Sequence, residues 1–234
     1  MNTLERALAL RKSAHLRSKE PMRVFLNRLR EPRRILGLVE RSRIHPATKL
    51  EARRLFLVSV SAAFEAYWRE FVRINVDKHQ VPVSTISHLK RASFSLGDVQ
   101  RIIGKKLTLG ELIASSYSFQ GTDAVNAALS EILQVKLLTE FGEAEFTIRE
   151  VPRKNRSKKR PLASALIRGR QILKGTCPAI ERCFVIRHET VHNTGTIFRV
   201  HDRETRLMEN AAWQFNAFLG MHLESRFKEI WGRR

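Results

Sequence analysis

One long helix dominates what this chain can fold into. Residues 48–74 contain neither glycine nor proline, and that length gives about seven helical turns. Between Leu55 and Trp68 the sequence reads LFLVSVSAAFEAYW, so apolar or small side chains occur on every side of the helix. Such a helix cannot lie on a surface, because each of its faces needs apolar neighbours. We therefore predict a buried helix with the rest of the chain packed around it.

A single charged residue, Glu65, interrupts this apolar segment. Burying a carboxylate without a partner costs too much desolvation energy, so the group must pair with a cation or shift its pKa. Glu65 is therefore expected beside a basic residue of a neighbouring element.

The remaining patterns are also helical, and no convincing alternating strand longer than about four residues is visible. One helix is expected over 122–142, with Thr122 or Asp123 as its N-cap. Another is expected to begin near Thr176, and a last one to cover about 203–231. These patterns predict an all-α fold, a helical bundle.

Two basic segments accompany this bundle. Residues 1–45 have a loose amphipathic pattern and form a basic helical extension that precedes a domain of residues 46–234. A basic loop over 149–161 lies within that domain, and its composition fits phosphate contacts or a merely solvated segment. Its candidate RNA-binding side chains are Arg153, Lys154, Arg156, Lys158, Lys159 and Arg160.

The charge of the chain restricts the class of partner. There are 43 Lys and Arg against 23 Asp and Glu, a net charge of +20. Such a field attracts nucleic acid first and an anionic membrane surface second, and a solvated basic surface is the alternative. No apolar run is long enough to span a membrane, and residues 1–19 lack the apolar stretch of a secretory signal. A cytoplasmic location is expected, with Cys177 and Cys183 reduced.

Residues 185–195 contain two overlapping catalytic patterns, of which the first is a zinc-protease pattern. Residues 188–192 read HETVH, with two histidines one helical turn apart and a glutamate to activate water. A catalytic zinc needs a third protein ligand, and the longer pattern requires histidine where this chain has Phe198. The other candidates, which have no established spacing, are His201, Glu204 and Glu209. Zinc hydrolysis is therefore the less favoured alternative, and no metal is predicted.

The second pattern is Arg187 followed, after four residues, by His192. Cleaving RNA without a metal requires a base for the 2′-hydroxyl, an acid for the leaving 5′-oxygen and positive charge at the phosphorane. Histidine can serve as base or acid, and arginine has a fixed charge and a donor fork that matches phosphate. On an ideal helix the two residues are about 140° apart. They converge if the helix bends or ends near Gly195, or if a second subunit supplies the matching pair.

This motif and its context resemble the HEPN superfamily of helical-bundle ribonucleases. Members carry an Arg-x4–6-His motif in a late helix, often written much like RHDxVHxxG. Residues 187–195 read RHETVHNTG, with Glu189 in place of the commoner Asp. The segment AAFEAY around Glu65 looks like the family's early helix, and residues 109–120 resemble the middle of related chains. The resemblance covers the chain from about residue 47 to its end.

The resemblance implies a HEPN-like bundle with metal-independent endoribonuclease activity and no cofactor. The expected products carry 2′,3′-cyclic phosphate and 5′-hydroxyl ends, and a homodimer is expected to line one cleft with two Arg-His pairs. A toxin or defence effector is the expected role, for which an antitoxin or another defence protein is a candidate partner. A non-catalytic RNA-binding or interaction module of the same fold is the main alternative, although a pure binding module does not need both Arg187 and His192.

Three further residues are candidates for supporting roles. Glu65 is the candidate partner of Arg187, because a buried acid and an arginine on adjacent helices offset each other's desolvation, although another arginine can fill that place. His188, one turn before His192, lines the cleft or sits at its rim. Asn193 hydrogen-bonds phosphate or caps the end of the helix.

Overall fold

The computed structural model describes residues 4–8, 20–87, 95–149, 164–192 and 199–232. The chain is predominantly helical, which confirms the all-α prediction in its broad form, and residues 4–8 and the single turn Val83–Thr85 are also helical. The longer helices are α1 (Pro21–Arg41), α2 (Pro46–His79), α3 (Leu96–Gly104), α4 (Leu109–Ser116), α5 (Thr122–Leu133), α6 (Leu137–Glu143), α7 (Gly169–His192) and α8 (Asp202–Trp231). An antiparallel hairpin of β1 (Glu145–Arg149) and β2 (Ser164–Arg168) lies between α6 and α7.

Helix α2 is the centre of the molecule, as its sequence predicts. Helices α1, α4, α7 and α8 all pack against it. Phe64 and Trp68 are fully buried, and their ring centroids lie 5.8 and 5.9 Å from that of Phe215 in α8. The helix is longer than predicted, because Pro46 fits the first turn of a helix and regular structure continues to His79.

Helix α1 shares the hydrophobic core of the helices that follow it. Phe25, Leu29 and Leu36 are buried in the same cluster of side chains as the apolar residues of α2. An ion pair reinforces this packing, since Nε of Arg53 donates to Glu40 over 2.6 Å. Helix α1, which belongs to the predicted extension of residues 1–45, therefore packs into the same core as α2.

The start of α5 is capped by a residue that is distant in sequence. Its N-cap position is Gly121, with φ 102°, so the prediction of Thr122 or Asp123 is wrong. The carboxylate of Glu181, in α7, accepts hydrogen bonds from the backbone N–H and the hydroxyl of Thr122, both at 2.7 Å. Glu181 thus satisfies donors that an N-cap side chain would otherwise satisfy, and it ties α5 to α7.

Two predicted helix boundaries are also wrong. The helix expected over 122–142 is divided into α5 and α6, because Gln134 adopts the left-handed conformation with φ 58°. Helix α7 begins at Gly169 rather than near Thr176, so Pro178 lies inside it. Proline usually marks the first turn of a helix, because inside a helix it removes a hydrogen bond and its ring crowds the preceding turn. That preference misleads the sequence-based prediction here.

The hairpin contradicts the expectation that no strand exceeds about four residues. Strands β1 and β2 pair from Glu145 opposite Arg168 to Arg149 opposite Ser164. Runs of five residues are too short for periodicity to separate strand from helix. The hairpin flanks the predicted basic loop, whose six candidate RNA-binding side chains lie outside the described residues: Arg153, Lys154, Arg156, Lys158, Lys159 and Arg160.

Both cysteines lie in α7 and are free. Burial raises the pKa of the Cys183 thiol to about 12, so this thiol stays protonated and unreactive near neutral pH. Among the helices of the described ranges, none combines the length and the apolar composition needed to cross a bilayer.

Candidate functional site

The motif residues lie in the last two turns of α7. The helix runs to His192, the last residue described before the gap at 193–198, so Asn193 lies outside the described residues. Because helical structure persists from Arg187 through His192, the separation of about 140° on an ideal helix applies. Arg187 is directed at α2, whereas His192 is exposed, and the structure does not bring the two side chains together within one chain.

The predicted ion pair between Arg187 and Glu65 is confirmed. Nη1 of Arg187 donates a hydrogen bond to Oε1 of Glu65. The two side chains are 27% and 13% exposed, so the pair is shielded from most of the solvent and is stronger than an ordinary surface ion pair. The Arg187 guanidinium also lies 5.8 Å from the ring centroid of Phe184, within cation–π range. These contacts hold a fixed positive charge at the junction of α2 and α7.

Glu65 has a second basic partner, which the sequence analysis did not name although it lies four residues further along the same helix. Nη2 of Arg69, one turn further along α2, lies 3.8 Å from Oε2 of Glu65. Burial lowers the pKa of Arg69, Glu65 raises it, and Arg28 of α1 lowers it again. Nε of Arg69 is buried and has no hydrogen-bond partner among the described residues. Both of the pairings left open for Glu65 are therefore present.

His188 and His192 form a pair on the exposed side of α7. Their ring centroids are 4.6 Å apart, with the planes inclined by 48°, and both residues are exposed. Two imidazoles at this spacing supply one group that can accept a proton and another that can donate one. Val185 and Val191, which are 46% and 57% exposed, add apolar surface to the same part of the helix.

Among the described residues, the donor set around this histidine pair does not fit a catalytic zinc. Glu209 accepts a hydrogen bond from Nε of Arg33 at 2.7 Å, and Glu204 accepts one from the backbone N–H of His201 at 3.0 Å. Within the described part of the chain, no three His, Cys, Asp or Glu side chains come close enough to hold a metal ion. Residues 193–198 read NTGTIF and contain no such side chain. A catalytic zinc needs three protein ligands.

Replacing Glu65 by glutamine is expected to destabilise the fold by about 1–3 kcal/mol, because two partly buried guanidinium groups lose their shared carboxylate. The free energy of unfolding in urea measures this effect. The matched control is Glu51→Gln on the same helix, where a 54% exposed carboxylate pairs with Arg54. Glu51→Gln should lower the free energy of unfolding by less than about 1 kcal/mol. Equal costs for the two variants would contradict the structural importance of the Glu65 pairs.

Comparisons of the chain with protein-family models, with curated proteins and with solved structures found no match. Membership of the HEPN superfamily therefore stays a prediction, which depends on the residues quoted for it and on the confirmed pairing of Arg187 with Glu65.

Proposed function

We propose that this protein is a metal-independent endoribonuclease of the HEPN type, which cleaves RNA to 2′,3′-cyclic phosphate and 5′-hydroxyl ends. One observation carries the proposal: Glu65 holds the guanidinium of Arg187 at the end of α7 that also displays the His188–His192 pair. A fixed cation for phosphate and titratable groups for proton transfer therefore occur within two turns of one helix.

The reaction assigns a separate task to each type of side chain. A neutral imidazole takes the proton of the 2′-hydroxyl, and the 2′-oxygen attacks phosphorus. The bond from phosphorus to the 5′-oxygen breaks, and a protonated imidazole gives that oxygen its proton. We assign one of these proton transfers to His192. The other belongs to His188 or to the equivalent histidine of a second copy. Arg187 stabilises the charge on the phosphorane.

A homodimer fits the orientation of the motif residues. Within one chain Arg187 is directed at α2 and His192 is exposed, so a second copy would supply the complementary member of each Arg-His pair. The half-exposed Val185 and Val191 are apolar surface that such a copy would cover. As part of the same proposal, the enzyme acts in the cytoplasm as a toxin or defence effector.

A non-catalytic RNA-binding module is the second candidate, and the excess of basic over acidic residues favours it. A net charge of +20 attracts RNA whether or not any bond is broken. The histidine pair is what distinguishes the two functions, because binding a phosphate requires no general acid or base.

Incubation of the purified chain with total RNA in excess EDTA tests the proposal. The wild type is expected to release fragments with 2′,3′-cyclic phosphate and 5′-hydroxyl ends. The double variant Arg187→Ala, His192→Ala should release none, and it controls for a contaminating nuclease. Cleavage that requires a divalent metal, or that survives both substitutions, would contradict the assignment. RNA binding without cleavage would favour the binding module.

A further inference from the structure

Four arginines of α1 are aligned along one side of that helix. They are Arg23, Arg30, Arg34 and Arg41, which lie seven, four and seven positions apart. On an ideal helix this spacing makes the four side chains project within about 40° of one another, and places the first and the last about 27 Å apart. All four residues are exposed. We call them the arginine stripe.

The opposite side of α1 is anchored in the fold. Phe25, Leu29 and Leu36 are buried in the core, and on an ideal helix they are centred about 140° from the arginine stripe. A neighbouring side chain of α1 adds a polar link, because Nε of Arg33 donates a hydrogen bond to Glu209 of α8 at 2.7 Å. The arginine stripe is therefore carried by a helix whose orientation is fixed by its contacts with α2 and α8.

Most of the charge of the arginine stripe is not balanced by acidic side chains. Arg34 pairs with Glu31 at 2.5 Å, but both groups are more than half exposed, so the pair is weak. Arg23, Arg30 and Arg41 have no acidic partner among the described residues, although Nε of Arg41 donates to a backbone carbonyl of its own helix. Like charges four positions apart, such as Arg30 and Arg34, also repel each other. The arginine stripe thus presents a line of positive charge to the solvent.

The shape and composition of this line restrict the anion that fits it. A free phosphate is too small to contact charges spread over about 27 Å, which suit an extended polyanion. Surfaces that bind single strands also stack bases on aromatic side chains, whereas the single aromatic residue of α1, Phe25, is buried. A helix that lies in a membrane surface inserts its apolar face, and that face of α1 is packed into the core. A nucleic acid duplex remains, because its backbone is a rigid, regular array of phosphates.

We propose that the arginine stripe binds the phosphate backbone of double-stranded RNA, so that a base-paired stem lies along α1. This inference rests on RNA as the substrate of the proposed function, and it narrows that substrate to RNA with a base-paired region. Arginine suits the task, because its planar fork donates two hydrogen bonds to phosphate oxygens. Proteins recognise double-stranded RNA mostly by shape and backbone contacts, so the sequence of the stem should matter little.

Two double variants with the same loss of charge test the proposal. Arg23→Ala with Arg30→Ala removes two members of the arginine stripe. The matched control is Arg28→Ala with Arg101→Ala. Arg28 is exposed on α1 but lies at least about 120° from the arginine stripe, and Arg101 is exposed on α3. Neither has an acidic partner among the described residues.

Binding is measured by fluorescence anisotropy with a labelled 2′-O-methyl RNA duplex of about 16 base pairs, which cannot be cut because its 2′-oxygens are blocked. For the stripe variant we expect a Kd at least about tenfold higher than that of the wild type. The slope of log K against log salt should fall by about 1.8, at about 0.9 for each lost phosphate contact. The control variant should stay close to the wild type in both quantities. Equal effects of the two variants, or none, would overturn the proposal.

A charge-conserving variant and two other probes identify the ligand. Arg23→Lys with Arg30→Lys keeps both charges and should retain most of the salt slope. A single-stranded 2′-O-methyl RNA of the same length should lose less affinity than the duplex in the stripe variant. An equal loss would assign the arginine stripe to single strands. If the stripe variant lost its binding to vesicles of anionic lipid but kept its affinity for the duplex, the arginine stripe would be a membrane contact and the proposal would be wrong.

The cleavage assay with unmodified RNA separates this inference from the proposed function. If the wild type cuts no RNA and the stripe variant still binds the duplex more weakly, the nuclease is refuted and the arginine stripe stands. If the wild type cuts RNA and the stripe variant binds the duplex as tightly as the wild type does, the arginine stripe is refuted and the nuclease stands.

Discussion

Replacing His192 by alanine is expected to slow RNA cleavage by about 10²–10⁴-fold, the usual loss when a general acid or base is removed. The side chain is exposed at the end of α7, so the fold should be almost unaffected and Tm should change by less than about 2 °C. Single-turnover cleavage of a labelled RNA and thermal unfolding measure the two quantities. Lys174→Ala, an exposed change on the same helix, is the control and should keep the wild-type rate.

Mixing two inactive variants shows whether the site is shared between chains. If each site combines Arg187 of one copy with His192 of another, a heterodimer of Arg187→Ala and His192→Ala retains one complete pair. The mixture should then cleave RNA faster than either variant alone. A mixture that stays as slow as its components would contradict a shared site.

Replacing Gly220 by alanine is expected to lower the free energy of unfolding by about 2–4 kcal/mol. A β-carbon at position 220 would lie 2.1 Å from the hydroxyl oxygen of Tyr67. That hydroxyl is buried and donates a hydrogen bond to the backbone carbonyl of Asn216 at 2.7 Å. Overpacking and the loss of a buried hydrogen bond each cost about 1–3 kcal/mol, and the better helix propensity of alanine returns about 1 kcal/mol. Urea denaturation measures the net change.

Two further variants identify the cause of this effect. Gly175 lies in α7 with no atom near its missing β-carbon, so Gly175→Ala should stabilise the protein by about 0.5–1 kcal/mol. In a Tyr67→Phe background the colliding oxygen is gone, and the next ring atom, Cζ, lies 3.4 Å away. Gly220→Ala should therefore cost much less in that background. An equal cost in both backgrounds would show that the hydroxyl is not responsible.

The parts of the fold that the sequence predicts well are those decided by local pattern. The apolar segment of α2 and the long periodic stretch of α8 each contain enough turns to reveal their burial without knowledge of their neighbours. The failures depend on distant residues. The cap of α5 comes from Glu181, 59 positions away, and the two strands need each other to form.

The candidate site likewise contains features that the local sequence predicts and features that it does not. The pairing of Glu65 with Arg187 was predictable, because a single acid in an apolar segment must find a cation and the motif provides one. The closeness of His188 and His192 follows from their spacing of four residues. The contact of Arg69 with Glu65 has the same signal, because the two residues are also four positions apart on one helix, although the sequence analysis did not name Arg69. Whether Arg187 and His192 converge could not be predicted, because it depends on where α7 ends, which the local pattern does not fix.

The two paired strands of the hairpin fix where α7 begins relative to α6. Arg149 pairs with Ser164, so the ends of the intervening segment 150–163 are joined by strand pairing before α7 begins. The entropy of closing a loop grows slowly, by about 0.6 kcal/mol for each doubling of its length. The entropy of closing that segment is therefore insensitive to its length. The number of residues between the strands can therefore vary while the start of α7, and with it Arg187, stays where the hairpin holds it.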